Sequence, residues 1–347
     1  MNTTKYINLI KSQIAKYPEM QTVDILKLVY QSMFGPAHFV FDEEFTLKLI
    51  KDELLITQDN TNIEYIYNYY RVGLNVIKEL GLGENTLNKL FILSAQEVED
   101  DEAFISLVKQ LIPHFSEYNI EEQLNKYLAK RGPFSHSARY NEVYKPHYRL
   151  VKQDYITYLP LLVKIEELLK TKNNPIILLE GNCSSGKTFL SNLLNSLYNT
   201  SIVRADDFFL VRSGKTDERL KEVGGNIDYE RFSEEVSSKL TSTSSFEYNK
   251  YSCSLGKLDG KVFVDNNKIR VIEGSYSKNP KMGIKADLSV FLTLDYEEQL
   301  IRLEKRNPHL LQRFITEWIP KENEYFDTFD ITKDFDLVIN TSQNRHK

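Results

Sequence analysis

Gly181, Gly186, Lys187 and Thr188 stand at the spacing G-x-x-x-x-G-K-[ST]. At that spacing the glycines let the backbone curl until successive N–H groups converge on phosphate oxygens, and a following helix adds its positive dipole end. Asn182, Cys183, Ser184 and Ser185 fill the curl. The loop binds through its backbone, so Cys183 is harmless there, and a redox role for its thiol is a minor alternative. Lys187 would reach the outer phosphates of the ligand, and the Thr188 hydroxyl would hold Mg²⁺. Further on, Asp206 and Asp207 follow in Arg204-Ala205-Asp206-Asp207-Phe208-Phe209. A carboxylate just past the carboxyl end of a strand faces a ligand bound there, and it can take the proton of an attacking hydroxyl. The same pair would also serve as a helix cap or turn.

The surrounding pattern supplies the elements such a loop needs. Ile176 to Leu179 is an apolar run, and Phe189, Leu190, Leu193, Leu194 and Leu197 recur at helical spacing. Short apolar runs at 201–205, 269–273, 288–294 and 336–340 alternate with helical patterns. This predicts a parallel five-stranded sheet with helices on both faces. Residues 246–266 read as an inserted hairpin. Before residue 150 the chain reads as helix after helix. Tyr6, Ile7, Ile10, Ile14 and Tyr17 form a stripe closed by Pro18, Thr22 is placed to cap a second helix, and Asp42 to start a third. Further helices are expected over 63–80, 86–98, 101–112 and 119–130. A helix over 152–170 leads into the polar linker Lys172-Asn173-Asn174-Pro175. The expected division is a helical domain over 1–150, a linker helix and linker over 151–174, and an α/β domain over 175–347.

Taken together, these motifs resemble the uridine kinase and phosphoribulokinase group of phosphate-loop kinases. The resemblance spans about 175–340 and rests on motifs in the same order: the phosphate loop, Asp206-Asp207-Phe208-Phe209, Asn226-Ile227-Asp228, Tyr251-Ser252-Cys253, Glu273-Gly274, and a helix carrying Arg302 and Arg306. It implies a phosphate-loop kinase domain using ATP and Mg²⁺, with Asp206 as general base. Glu273, with Thr188 and Asp206, would support the metal or its waters. Asp207, Asp228 and Tyr251 would line the acceptor pocket. Arg302, Arg306 and Arg313 would close over the phosphates and neutralise charge in the transition state. Two departures stand out. Ser252 occupies a place where the family has an acidic residue, which loosens the link to a nucleoside, and the lid after Arg306 is short.

The whole chain sets wider bounds. Its 347 residues leave room for two domains, and the net charge of −5 argues against a general nucleic-acid or membrane surface. Two cysteines give neither a disulfide framework nor a metal site of common spacing. No run is long enough to span a membrane, so a cytoplasmic protein is the expectation. Within the helical half, Arg131 to Val151 gathers Arg139, Arg149, His136, His147, Tyr140, Tyr144 and Tyr148 in a loop-like stretch. Such a stretch either carries a site or pins a loop by its aromatics. His38 reads as a packed or capping histidine. The leading expectation is an ATP-dependent kinase for a small hydroxyl-bearing substrate, most simply a nucleoside. A sugar, a cofactor precursor or a nucleic-acid end is the alternative acceptor. A nucleotide-gated interaction protein, with the helical half as partner-binding module, is the reading from a different class.

Overall fold

The computed structural model describes residues 2–37, 42–57, 62–95 and 100–342, so His38 lies outside the described residues. Backbone proximity divides the chain into two compact units, Met1–Val163 and Lys164–Lys347.

The first unit is mostly helical. Helices Thr3–Lys16, Thr22–Phe34, Asp101–Leu111 and Ile120–Ala129 bury Tyr6, Ile10, Leu26, Tyr30, Phe104, Leu107 and Tyr127 in one core. Asp42 caps Glu43–Ile56, its Oδ1 accepting from Glu44 N at 3.2 Å. Thr22 is not a cap. It is the first helical residue, Gln21 occupies the cap position, and Asp24 Oδ2 accepts from Gln21 N at 3.0 Å.

Residues 63–80 are not one helix. They form β1 (Ile63–Tyr65), β2 (Tyr69–Gly73) and a short helix, Val76–Leu80. Tyr67 stands at φ 82° between the strands, a turn conformation that interrupts a right-handed helix. β2 then pairs antiparallel with β3 (Tyr148–Lys152), matching Arg71 to Leu150, a partner far along the chain that no local pattern reveals. The expected helix over 152–170 is likewise two, Gln153–Ile156 and Leu159–Leu169. Pro160 sits in the first turn of the second, where its missing N–H costs nothing, whereas in mid-helix it would break the ladder.

The second unit contains a parallel sheet of β4 (Ile176–Gly181), β5 (Ser201–Arg204), β8 (Arg270–Glu273), β9 (Leu288–Thr293) and β10 (Leu337–Asn340). Its order is β10-β9-β4-β8-β5, with Ile177 paired to Val271 on one side and Leu288 on the other. All of β4 is buried, as befits the central strand of a covered sheet. Full burial of Ile177, Val271 and Val290 contributes about 1.5–3 kcal/mol each. The stretch expected to form a hairpin does so: β6 (Phe246–Ser252) and β7 (Lys257–Val264) pair antiparallel, with an irregularity between Asn249 and Tyr251.

Candidate active site

The loop from β4 into helix Lys187–Tyr198 is shaped by its glycines. Gly181 adopts φ 142°, and a Cβ there would lie 2.0 Å from Leu292 O, so no other residue fits. Gly186 caps the helix at φ 96°, again in the region glycine favours.

The carbonyls of the loop are held by side chains from elsewhere in this unit. Gln299 Nε2 donates to Cys183 O at 3.0 Å, Arg302 Nη1 to Ser184 O at 3.3 Å, and Thr341 Oγ1 to Ser185 O at 2.8 Å. Glu322 Oε2 accepts from Cys183 N at 2.7 Å. The Ser184 and Ser185 hydroxyls are buried without partners among the described residues. A curled loop with anchored carbonyls and orphaned hydroxyls fits a polyphosphate. Lys187 Nζ lies 2.6 Å from Gly181 O and 2.9 Å from Asn182 O, at the same loop.

Two strand ends bring acidic groups to the loop that follows β4. Thr188 Oγ1 donates to Glu273 Oε1 at 3.3 Å, at the end of β8. Arg204, at the end of β5, pairs with the same oxygen at 3.3 Å. Asp206 follows in a 3₁₀ turn, Ala205–Phe208, with an open face to solvent. The protein closing around it pushes its carboxyl above the usual range, and the Asp207 charge adds to that, against Lys187, Arg306 and Arg204. Glu273 is pushed up too, by burial first and Asp206 next, with Lys187 and Arg204 opposing. The set is two carboxylates and a hydroxyl beside the curled loop. It suits Mg²⁺, which takes one or two carboxylates and completes its shell with phosphate oxygens and water. Among the described residues no three His, Cys, Asp or Glu side chains form a metal cluster of their own.

The other residues singled out by sequence have different surroundings. Asp207 is buried, and its Oδ2 accepts from Tyr248 Oη at 2.8 Å. Asp228 caps helix Tyr229–Phe232, accepting from Arg231 N at 3.1 Å, with Arg231 Nε at 3.5 Å. Tyr251 is buried on β6 near the Phe209 ring, at 6.4 Å between centroids. Arg302 is engaged by Glu298 at 3.0 Å as well as by the loop carbonyl. Arg306 is exposed, near the Phe314 ring, and its charge reaches both Asp206 and Cys183. Arg313 pairs with Glu317 at 2.8 Å and lies over the Trp318 ring. Burial, then Glu322, pushes the Cys183 thiol up to about 12, which disfavours the reactive thiolate.

Sequence reasoning missed the groups behind the loop. Glu180 is completely buried and accepts from Gly181 N at 3.1 Å, Tyr276 N at 3.2 Å and Lys278 N at 3.1 Å. Desolvation nevertheless lifts it to about 7. A lone acid at the end of an otherwise apolar strand was the available signal. Glu322, Gln299 and Thr341 carried none.

No family model matches the chain, and no curated protein does. Among solved structures it is similar to one described as a possible uridine kinase from Bacillus stearothermophilus. The two are 19% identical, over 54% of this chain and 100% of that one, with a TM-score of 0.43.

Proposed function

We propose that the second unit is a phosphotransferase that moves the γ-phosphoryl group of ATP onto a hydroxyl of a small acceptor, with a nucleoside as the first candidate. One observation carries this reading. Lys187, Thr188, Glu273, Arg204 and Asp206 converge where β4, β8 and β5 end, beside a curled phosphate loop. A switch that merely binds nucleotide has no need of a hydroxyl base there, and Asp206 is a carboxylate open to solvent at that place.

In the proposed reaction the Asp206 carboxylate takes the acceptor's hydroxyl proton as the new O–P bond forms and the bond to the departing ADP breaks. Lys187 and the loop N–H groups orient the phosphates, and Arg306 is the arginine placed to offset charge spreading onto them. Mg²⁺, held by Thr188 with Asp206 and Glu273 on it or on its waters, would supply further charge neutralisation.

The test is incubation of the protein with ATP, Mg²⁺ and pooled nucleosides, followed by a search for a phosphorylated nucleoside. A pool of sugars and cofactor precursors forms the second arm. ATP binding with no product from either arm would shift the reading to a nucleotide-gated interaction protein.

A further inference from the structure

Cys183 lies within the curled loop, and side chains from two helices hold it. Gln299, on helix Tyr296–Arg306, donates through Nε2 to Cys183 O at 3.0 Å and meets its Sγ at 3.1 Å. Glu322, on helix Ile319–Thr328, accepts from Cys183 N at 2.7 Å with Oε2, and its Oε1 accepts from Ser275 Oγ at 2.6 Å. The Cys183 side chain packs against a small apolar cluster of Leu303, Phe314 and Ile319, which Trp318 also joins. This cluster shares no residue with the larger core of the second unit. Arg306 lies over the Phe314 ring at 5.8 Å, so one set of contacts runs from the loop to the exposed arginine.

Glu322 is an unusual acid for that position. It is buried, and the donors that reach it are a backbone N–H and a hydroxyl. Hydrogen bonds of that kind replace the lost hydration of a carboxylate only in part. Burial accordingly pushes its carboxyl up, with Lys187 and Ser275 opposing.

What the contact secures is the direction of the loop's peptide groups. These are planar and trans, so each N–H points opposite to the C=O of its own group. With Cys183 N–H on Glu322, Asn182 O faces the other way, where Lys187 Nζ meets it at 2.9 Å. With Cys183 O on Gln299, the Ser184 N–H is turned away from that side chain. Ser184 itself stands at φ 61°, a left-handed conformation that a serine keeps where its neighbours hold it.

We propose that Glu322 is a positioning residue for the phosphate chemistry: through Cys183 it sets the aim of the loop N–H groups and keeps the segment bearing Arg306 in place beside them. The inference rests on the reading of this loop as a phosphate site. Glu322 touches no reacting atom. It acts through the Asn182–Cys183 peptide group on one side and the cluster of Leu303, Phe314 and Ile319 on the other. Filling the loop is therefore felt at Trp318, the single tryptophan of the chain.

The test titrates the full chain with inorganic triphosphate and Mg²⁺, which bring no base to quench an aromatic ring, and follows heat and tryptophan fluorescence in parallel. The unsubstituted chain is expected to show a saturable fluorescence change with the same midpoint as the heat. Glu322→Met fills similar space without an acceptor. It should weaken binding roughly tenfold, the effect of one hydrogen bond to a charged group, and lose the Trp318 change. Glu322→Gln keeps an acceptor oxygen for Cys183 N and should restore both. A merely structural role would lower the thermal midpoint of Glu322→Met and leave affinity and fluorescence response intact, and that result would overturn the proposal, as would equal losses in Glu322→Gln. Triphosphate binding to the unsubstituted chain with no change at Trp318 would also overturn it, whether or not a variant folds. Binding of neither triphosphate nor ATP would instead remove the reading of the loop as a phosphate site, and the proposal with it.

Discussion

Asp206 and Asp207 are neighbours in sequence with opposite surroundings, and the difference separates two roles. Asp206 opens to solvent among Lys187, Arg204 and Arg306, whereas Asp207 is buried against the Tyr248 hydroxyl. A positioned base contributes about 10²–10⁴ in rate, so Asp206→Asn is expected to cost that much turnover with its unfolding midpoint retained. Asp207→Asn should instead lower stability by about 1–3 kcal/mol, the range for disturbing a buried hydrogen-bonded group, with a smaller effect on rate. Thermal melts and turnover measured on both variants check the pair, and the reverse pattern would exchange the two roles. Lys187→Ala is expected to lose about 10²–10³ in transfer rate while staying folded. At this scale the loop and Asp206 were legible because glycine spacing and a strand-end acid are local signals. The Asp207–Tyr248 contact was not, since it joins residues 41 apart.

The loop from β4 into helix Lys187–Tyr198 can bind phosphate as proposed only if its carbonyls stay turned away from its N–H groups, and three side chains grip those carbonyls. Arg302 is one of them, which separates it from Arg306 four residues on. Arg302→Ala should weaken ATP binding roughly tenfold through loss of a charged hydrogen bond. Arg306→Ala should lower turnover with ATP affinity nearly intact, because its charge reaches Asp206 from an exposed position. Separate measurement of ATP affinity and turnover distinguishes them, and equal affinity losses would remove the distinction. The strands of the parallel sheet were legible from short apolar runs, each a self-contained signal. Residues 63–80 misled because Tyr65, Ile66, Tyr69 and Val72 mimic helical spacing, while Tyr65 pairs with Tyr70 and the strand of Tyr69 and Val72 pairs with Tyr148–Lys152. Sheet pairing across such a separation overrides local pattern.

Over the whole molecule the two units carry opposite pH responses. Glu180 in the second unit is held near 7, above the 4.5 of an ordinary glutamate. Folding therefore favours its protonated form, and the stability it lends is present below about 4.5 and lost as pH rises through about 7. His136 in the first unit is pushed down to about 4 from 6.5, by burial first, so its stability is present above 6.5 and lost as pH falls through about 4. Glu180→Gln should reduce the loss of stability of the second unit between pH 4.5 and 7, leaving the part due to the other raised carboxyls, which denaturant melts across that window would show. Separating the units sharpens the measurement and tests the site assignment as well. A cut near Val151 would split β3, which runs to Lys152, and a cut at 163 would split helix Leu159–Leu169, so a fragment beginning at Gln153 respects both elements. Every group assigned to phosphate binding lies within it, and its sheet buries its own core. The fragment is expected to fold cooperatively, to bind ATP with Mg²⁺ at an affinity close to that of the full chain, and to show the Glu180 response without that of His136. Calorimetric titration of ATP into both proteins decides the matter: a cooperatively folded fragment that fails to bind ATP would overturn the placement of the nucleotide site in the second unit.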